Sequence, residues 1–292
     1  MPTLNVTLLG SPNVARDDVP VVIPTLKAQA LFYYLITTRQ PHTREKLATF
    51  FWGDTPERQA KASLRTALYD LRRALEPPSE PAQNYILVEG NTLRFNQESD
   101  YWFDVEEFEK RLEAGGREIR ALREAVELYR GDFLEGFSLK DSYDFDDWSF
   151  FERDRLQRAY LVALSGLSRY HSQRGEYGQA IAYTTRILSY DSLQENVHRQ
   201  LMRLYYAAGN RSAALRQYEI CKEILQQELG IPPLAETTEL YEQILRQELA
   251  VPPRVEEVKK PPEAELPPAP PLLAPRPVPE YLRTALVGRE EE

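Results

Sequence analysis

Residues 57–76, ERQAKASLRTALYDLRRALE, form a helix with two unlike faces when read at about 100° per residue. With Leu64 set at 0°, Ala67, Leu68, Leu71 and Leu75 gather into one core-facing stripe. Lys61, Arg72, Arg65, Arg58, Tyr69 and Arg73 fill the arc from about 60° to about 180° beside it, and Asp70 lies on the other polar side. A basic flank on a helix held by a core suits a DNA major groove, where Arg and Lys serve both phosphates and the acceptors of guanine. A solvated amphipathic helix is the plainer reading of such a segment, and the neighbouring sequence decides between the two.

Upstream, LKAQALFYYLITT (Leu26 to Thr38) carries Ala28, Leu31, Phe32 and Leu35 at helical spacing and stops at Gln40-Pro41. Thr43 is placed to cap a short helix, TREKLATFFW, with Leu47, Phe50 and Phe51 as its apolar side. Gly53-Asp54-Thr55-Pro56 then breaks the chain before the basic helix. Downstream, YILVEGNTLRF (Tyr85 to Phe95) reads as two strands reversing at Glu89-Gly90-Asn91-Thr92, where Gly and Asn tolerate positive φ. Helix-turn-helix followed by a hairpin is the winged-helix plan.

Strands precede it. LNVTLLG alternates Leu4, Val6 and Leu8 against Asn5 and Thr7, and Val19 to Ile23 supplies another strand after a polar turn at Arg16-Asp17-Asp18. A sheet in front of a winged helix resembles the OmpR-type subclass. Within it, LLG, LKAQALFYYLI, REKLATFFWGD and SLRTALYDLRRAL are similar to the pattern of the SARP-type bacterial transcriptional activators, over residues 4–95.

The 292 residues suffice for two domains with cores of their own. The net charge of −9 argues against nucleic acid when taken alone, but it is unevenly spread. Residues 1–100 hold 11 Lys/Arg and 11 Asp/Glu, so the remainder carries the whole excess. Within residues 57–75, five basic residues face two acidic ones. The single cysteine, Cys221, excludes an intramolecular disulfide and reads as a buried, inert thiol on a helical pattern. MPTLNVTLLG has no basic n-region or long apolar core, and no apolar run reaches the length of a membrane span. The expectation is a soluble, cytoplasmic protein with no membrane partner.

From Tyr101-Trp102-Phe103-Asp104 to Glu248 the pattern is wholly helical, which marks a second domain. Aligning RGEYGQAIAYTTRIL with AGNRSAALRQYEICK sets Gly175 over Gly209, Ala180 over Ala214 and Ile181 over Leu215, each 34 residues apart. That is the tetratricopeptide period, in which small residues let paired helices approach. The segment also resembles the bacterial transcriptional activator domain (BTAD) over about residues 104–248. The motifs are Ala125-Val126 to Arg130-Gly131-Asp132-Phe133-Leu134, Phe145-Asp146-Asp147-Trp148 with Glu152-Arg153-Asp154-Arg155-Leu156, and Leu225 to Leu229-Gly230-Ile231-Pro232-Pro233. From Val251 the chain reads as a proline-rich linker, with 11 of the 22 prolines between Pro252 and Pro279. It ends in Ala285 to Glu292, where LVGREEE resembles the opening of the AAA/STAND ATPase modules of larger family members. The phosphate loop GxxxxGK[ST] does not occur in the 292 residues.

Catalysis finds little support. His42, His171 and His198 are scattered, without a Cys or second His at ligand spacing. Asp144, Asp146 and Asp147 precede a long helix, whose positive N-terminus explains them better than acid/base chemistry does. Trp52, Trp102 and Trp148 read as packing anchors.

The expected fold is mainly α with a small N-terminal β component, a winged helix-turn-helix followed by a tetratricopeptide-like α-helical solenoid. Its divisions are residues 1–100 (winged helix), 101–250 (BTAD), 251–285 (linker) and 286–292 (start of a downstream module). The expected function is a sequence-specific DNA-binding transcriptional regulator, an activator and not an enzyme, with no cofactor and no metal. The wheel selects Arg65, Tyr69 and Arg72 for groove contacts and Lys61, Arg58 and Arg73 for phosphates. The resemblance implies that Asn91 and Arg94 of the hairpin touch DNA, that the protein acts on direct repeats of double-stranded DNA as a homodimer, and that the loop Trp52, Gly53, Asp54 and Thr55 contacts RNA polymerase or its sigma factor. The alternative is a tetratricopeptide-type signalling scaffold that binds protein partners rather than DNA.

Overall fold

A computed structural model of the chain describes residues 3–76, 84–115, 118–139 and 141–249. The proline-rich linker and the segment 286–292 inferred from sequence lie outside the described residues. The chain divides into two compact units, residues 1–167 and 168–292.

The first unit opens with β1 (Leu4–Thr7), β2 (Asn13–Arg16) and β3 (Val19–Pro20). β1 and β2 pair antiparallel with Leu4 opposite Arg16, and the β2–β3 hairpin turns on Asp17 and Asp18, both at positive φ (44° and 66°). Asp is among the few non-glycine types that tolerate this region. The strand expected at Val19–Ile23 is confined to Val19–Pro20, with one further bond to β2 from Val21 N to Val14 O at 2.8 Å. β2 was not foreseen.

The winged-helix elements follow: α1 (Leu26–Thr38), β4 (His42–Thr43), α2 (Arg44–Trp52), α3 (Glu57–Leu75), β5 (Ile86–Glu89) and β6 (Thr92–Phe95). The cap expected at Thr43 forms, and Thr25 supplies a second that was not foreseen. Thr25 Oγ1 accepts from Ala28 N at 3.2 Å, and Thr43 Oγ1 accepts from Lys46 N at 3.2 Å. α1 ends where Arg39 enters the left-handed region and its N–H returns to Leu35 O. Strands β4, β6 and β5 form a three-stranded sheet, in which β5 and β6 reverse at Gly90 (φ 59°). Asn91, expected to share the positive φ, does not. Leu31, Phe32, Leu35, Leu47, Phe51, Leu64, Leu71, Ile86, Leu93 and Phe95 bury one common core.

Tyr101–Phe103, where the sequence suggested the start of a helical domain, is instead β7, paired parallel to β1 with Leu4 opposite Tyr101. The first sheet therefore has the order β3-β2-β1-β7. β7 leads directly into α4 (Asp104–Gly115), followed by α5 (Ile119–Leu128) and α6 (Tyr143–Gln173). The Asp104 carboxylate turns back to β1, accepting from Leu8 N at 2.9 Å on both oxygens and from Leu9 N at 2.8 Å. On the other side of the same segment, Leu134 N donates to Leu8 O (2.9 Å), Gly10 N to Asp132 O (3.1 Å) and Glu135 N to Gly10 O (3.0 Å). Aromatic contacts continue the seam. Tyr33 meets Phe137 at 5.3 Å, Tyr34 meets Trp148 at 4.9 Å, and Phe51 meets Phe145 at 5.8 Å. Glu109 bridges Arg39 (2.7 Å) and Arg155 (2.8 Å). This packing explains why the first compact unit runs to Leu167 although the sequence pattern changes near residue 101.

The second unit contains the end of α6, α7 (Tyr177–Leu188), α8 (Glu195–Ala207), α9 (Arg211–Glu228) and α10 (Ala235–Arg246). Two backbone bonds of its turns recur at the 34-residue period. Glu176 N donates to His171 O and Asn210 N to Tyr205 O, both at 2.9 Å. Gly175 N donates to Ser172 O (3.1 Å) and Gly209 N to Tyr206 O (2.9 Å). Both glycines have positive φ (73° and 81°), and Ala180 and Ala214 are fully buried on the following helices. Met202, Tyr206, Ala214, Tyr218, Leu240 and Ile244 close the core of this unit. Cys221 is buried, and burial raises its thiol to about 11, as an inert thiol requires.

Burial lifts the Asp104 carboxyl from its ordinary 3.8 to about 6, outweighing the N–H groups of Leu8, Leu9 and Val105 and the more distant Arg130, which favour the charge. The folded chain then binds this proton more tightly than the unfolded chain. The group's contribution is fully present below pH 4 and is lost as pH rises through 6. In denaturant titrations the stability advantage of the parent over Asp104→Asn should be larger at pH 4 than at pH 7, by on the order of 3 kcal/mol. An NMR titration placing the Asp104 carboxyl near 4 would contradict this.

Candidate nucleic-acid interface

The basic helix read from sequence is α3, and its stripe is buried as expected: Leu64, Ala67, Leu68, Leu71 and Leu75, extended by Ala60 toward the N-terminus. Gly53 makes the tight entry to it. A Cβ there would come within 2.8 Å of Thr49 O, so only glycine closes α2 and lets the chain turn toward Pro56. The far end is held by two backbone acceptors and one carboxylate. Arg16 donates to Leu75 O, Arg72 Nη2 donates to Ile86 O at 3.1 Å, and Glu76 Oε1 accepts from Tyr85 N at 2.9 Å. The hairpin β5–β6 is thereby fixed to α3.

The six residues selected on the wheel separate into three groups. Arg58, Arg65, Tyr69 and Arg73 are exposed, Tyr69 to 64%, and their side chains make no hydrogen bond or ion pair with the described residues. Lys61 is engaged on the surface: its Nζ lies 2.6 Å from Glu57 Oε1 and 4.0 Å from Glu45 Oε1. Arg72, expected in the groove-reading set, is half-buried and spends its guanidinium on the Ile86 carbonyl. Its angle on the wheel borders the apolar stripe, and a long side chain there bends back onto the sheet. Ala62 and Thr66 were missed by a search for charge. Both are exposed beside the arginines, and the Thr66 hydroxyl donates to Ala62 O at 3.3 Å.

At the tip of the hairpin, Asn91 docks on the start of α2. Its carbonyl accepts from Arg44 N at 2.9 Å and its Nδ2 donates to Glu45 Oε2 at 2.5 Å. Arg94 lies across the hairpin from Glu89, 2.9 Å from Nη2 to Oε1. Within the α2–α3 loop, Gly53 and Asp54 are exposed and Thr55 donates back to Trp52 O at 2.9 Å. Trp52 itself is buried, with the Lys27 ammonium 5.4 Å from its ring centre, so it anchors the loop from beneath. The three histidines are committed internally: His42 to Thr38 (2.8 Å), His171 to Glu176 (2.5 Å) and His198 to Gln217 (2.7 Å). Among the described residues no group of His, Cys, Asp and Glu is arranged to hold a metal ion, and no helix is long and apolar enough to cross a membrane.

Comparison with known proteins agrees with this architecture. Residues 103–245 match the bacterial transcriptional activator domain. The chain is 26% identical over 238 residues to the transcriptional regulatory protein MoaR1 of Mycobacterium tuberculosis, covering 78% of this chain and 74% of that protein. It is 29% identical over 243 residues to the regulatory protein AfsR of Streptomyces griseus, covering 81% of this chain but only 24% of that protein. Among solved structures it is similar to Mycobacterium tuberculosis EmbR, determined in complex with a low-affinity phosphopeptide. The TM-score is 0.64 at 24% identity, covering 85% of this chain and 66% of that one. With a winged helix, tetratricopeptide-like helices and a bacterial transcriptional activator domain over residues 103–245, the chain is similar to the SARP-type bacterial transcriptional regulators.

Proposed function

We propose that this regulator is a sequence-specific DNA-binding activator, with α3 as its recognition helix and the β5–β6 hairpin as its wing. The observation that carries the reading is the exposed flank of Arg58, Arg65, Tyr69 and Arg73, which lack partners among the described residues, on a helix whose opposite face is buried. Guanidinium groups left without carboxylates on a rigid helix are ready for phosphates and guanine edges. Residues 1–100 act as the DNA-binding part and residues 101–250 as the helical part that supports it, ahead of the linker at 251–285 and the module start at 286–292. Asn91 and Arg94 reach the adjacent backbone or minor groove. The exposed Gly53 and Asp54 are the part of the α2–α3 loop that a polymerase or sigma factor can touch. The protein regulates transcription in the cytoplasm without catalysing a reaction.

Arg65 sits at the centre of the exposed flank and Arg72 at its buried margin. Arg65→Ala should relax specificity at one base position and cost roughly 1–3 kcal/mol of operator binding without changing the melting temperature. Arg72→Ala should lower the melting temperature, because it frees the Ile86 carbonyl and loosens the wing. The reverse pattern in melting and binding assays would exchange their roles.

Arg58→Ala and Arg73→Ala should weaken binding to operator and scrambled duplexes alike. Each should reduce the magnitude of the slope of log K against log salt by about one. A salt-independent operator affinity for the parent chain would refute groove binding.

One recognition helix gives a small interface, so two copies are expected on neighbouring direct-repeat half-sites. In a gel-shift titration, moving one half-site by about half a helical turn should abolish cooperative binding. Undiminished cooperativity would show that the two copies are not held in register.

A further inference from the structure

We infer that three carboxylates on the proposed DNA face, Glu45, Glu57 and Glu89, serve as built-in substitutes for phosphate that restrain binding to DNA of any sequence. The inference rests on the DNA-binding reading above. Each carboxylate occupies a group that the reading assigns to DNA. Glu57 Oε1 lies 2.6 Å from Lys61 Nζ, and Glu45 Oε1 lies 4.0 Å from the same atom. Glu45 Oε2 accepts from Asn91 Nδ2 at 2.5 Å, and Glu89 Oε1 accepts from Arg94 Nη2 at 2.9 Å and Nε at 3.2 Å. The face is therefore of two kinds. Arg58, Arg65 and Arg73, spread from the first to the last turn of α3, are open, while Lys61 and both hairpin groups are masked by acids.

The side chains of Glu45, Glu57 and Glu89 are exposed to 53%, 79% and 61%, so the core does not require them. Glu45 and Glu57 stand in the first turns of α2 and α3, where the helix dipole favours a negative charge. The hydrogen bond from Asn91 holds the Glu45 carboxyl below its ordinary range, so it is ionised at neutral pH. When DNA approaches, a phosphate at Lys61 or Arg94 must replace a carboxylate that is already paired. One ion pair is exchanged for another, and the displaced carboxylate stays near the phosphates and repels them. Such cations add little to counterion release, which drives non-specific binding. The open arginines, which can also reach bases, then carry a larger share of the affinity.

The test uses the full chain with Glu45→Gln, Glu57→Gln and Glu89→Gln, singly and together. Glutamine keeps the length of the side chain and an acceptor for Asn91 while removing the charge. Fluorescence anisotropy on a random-sequence duplex and on an operator selected from a random pool is followed across a salt series, with melting curves as the control for folding. Each variant should bind both duplexes roughly two- to fivefold more tightly at low salt, as expected for exposed ion pairs. The salt slope should steepen by up to about one for each carboxylate removed. A parent that binds duplex DNA while the variants match its affinity and slope overturns this inference alone. A parent that binds no duplex even at low salt overturns the DNA-binding reading, and this inference with it.

Discussion

The arrangement of the first unit depends on one buried carboxylate. Asp104 begins α4, yet its side chain serves the end of β1, accepting from the N–H groups of Leu8 and Leu9. Those two donors lie beyond the last residue of β1, past its paired register with β2 and β7, and an unpaired buried N–H is costly. By satisfying them, Asp104 fixes where α4 starts relative to the front sheet, and β7 cannot shift without breaking the same bonds. The loop at Asp132–Glu135 closes on the opposite edge of Leu8–Gly10. The segment is held from both sides, and the aromatic seam from Tyr33 to Trp148 forms along the surfaces that this brings together.

That anchorage matters for α3 because the helix itself is held by few polar contacts. Its N-terminus follows a glycine turn, and its C-terminus is held by Arg16, Arg72 and Glu76. The buried stripe sets its rotation, while those three contacts set its position against the hairpin. A groove-reading helix must present side chains within a small fraction of a base-pair step, so rotation and position both have to be rigid. Arg72 shows the division of labour. A guanidinium that looks like a reader on a helical wheel is used to fix the geometry in which its neighbours stand exposed.

Much of this was legible in the sequence, for reasons that differ by element. α1, α2, α3 and the β5–β6 hairpin announce themselves locally, through 3.6-residue periodicity, Thr caps and a Gly turn. The 34-residue repeat is also local, since each copy carries its own glycine and alanine. β4 and β7 are two and three residues long and exist because a distant partner supplies the hydrogen bonds, which no window of sequence reveals, whereas β2 pairs with its chain neighbours β1 and β3 and lacks a clear apolar alternation of its own. Tyr101–Phe103 misled for the same reason: three aromatic residues before an acidic helix look like a helix entry until β1 lies beside them. Among the site residues, the wheel found which side of α3 is basic but not which arginines bend back, because that depends on carbonyls on another element.

Charge follows a similar logic. Residues 1–100 hold equal numbers of acidic and basic residues, so composition alone gives no sign of an electropositive surface. The balance conceals an arrangement in which Glu45, Glu57 and Glu89 sit within 4.0 Å of Lys61 or Arg94, while Arg58, Arg65 and Arg73 along α3 stay open. Neutral on average and positive along one flank of α3, the proposed face would attract a phosphate backbone only weakly over long range and more strongly in one register. Long-range attraction sets how fast a protein finds any DNA, whereas contacts in register set how long it stays on one sequence. A DNA-binding chain whose remaining 192 residues carry the whole net charge of −9 would gain little from the first and depend on the second.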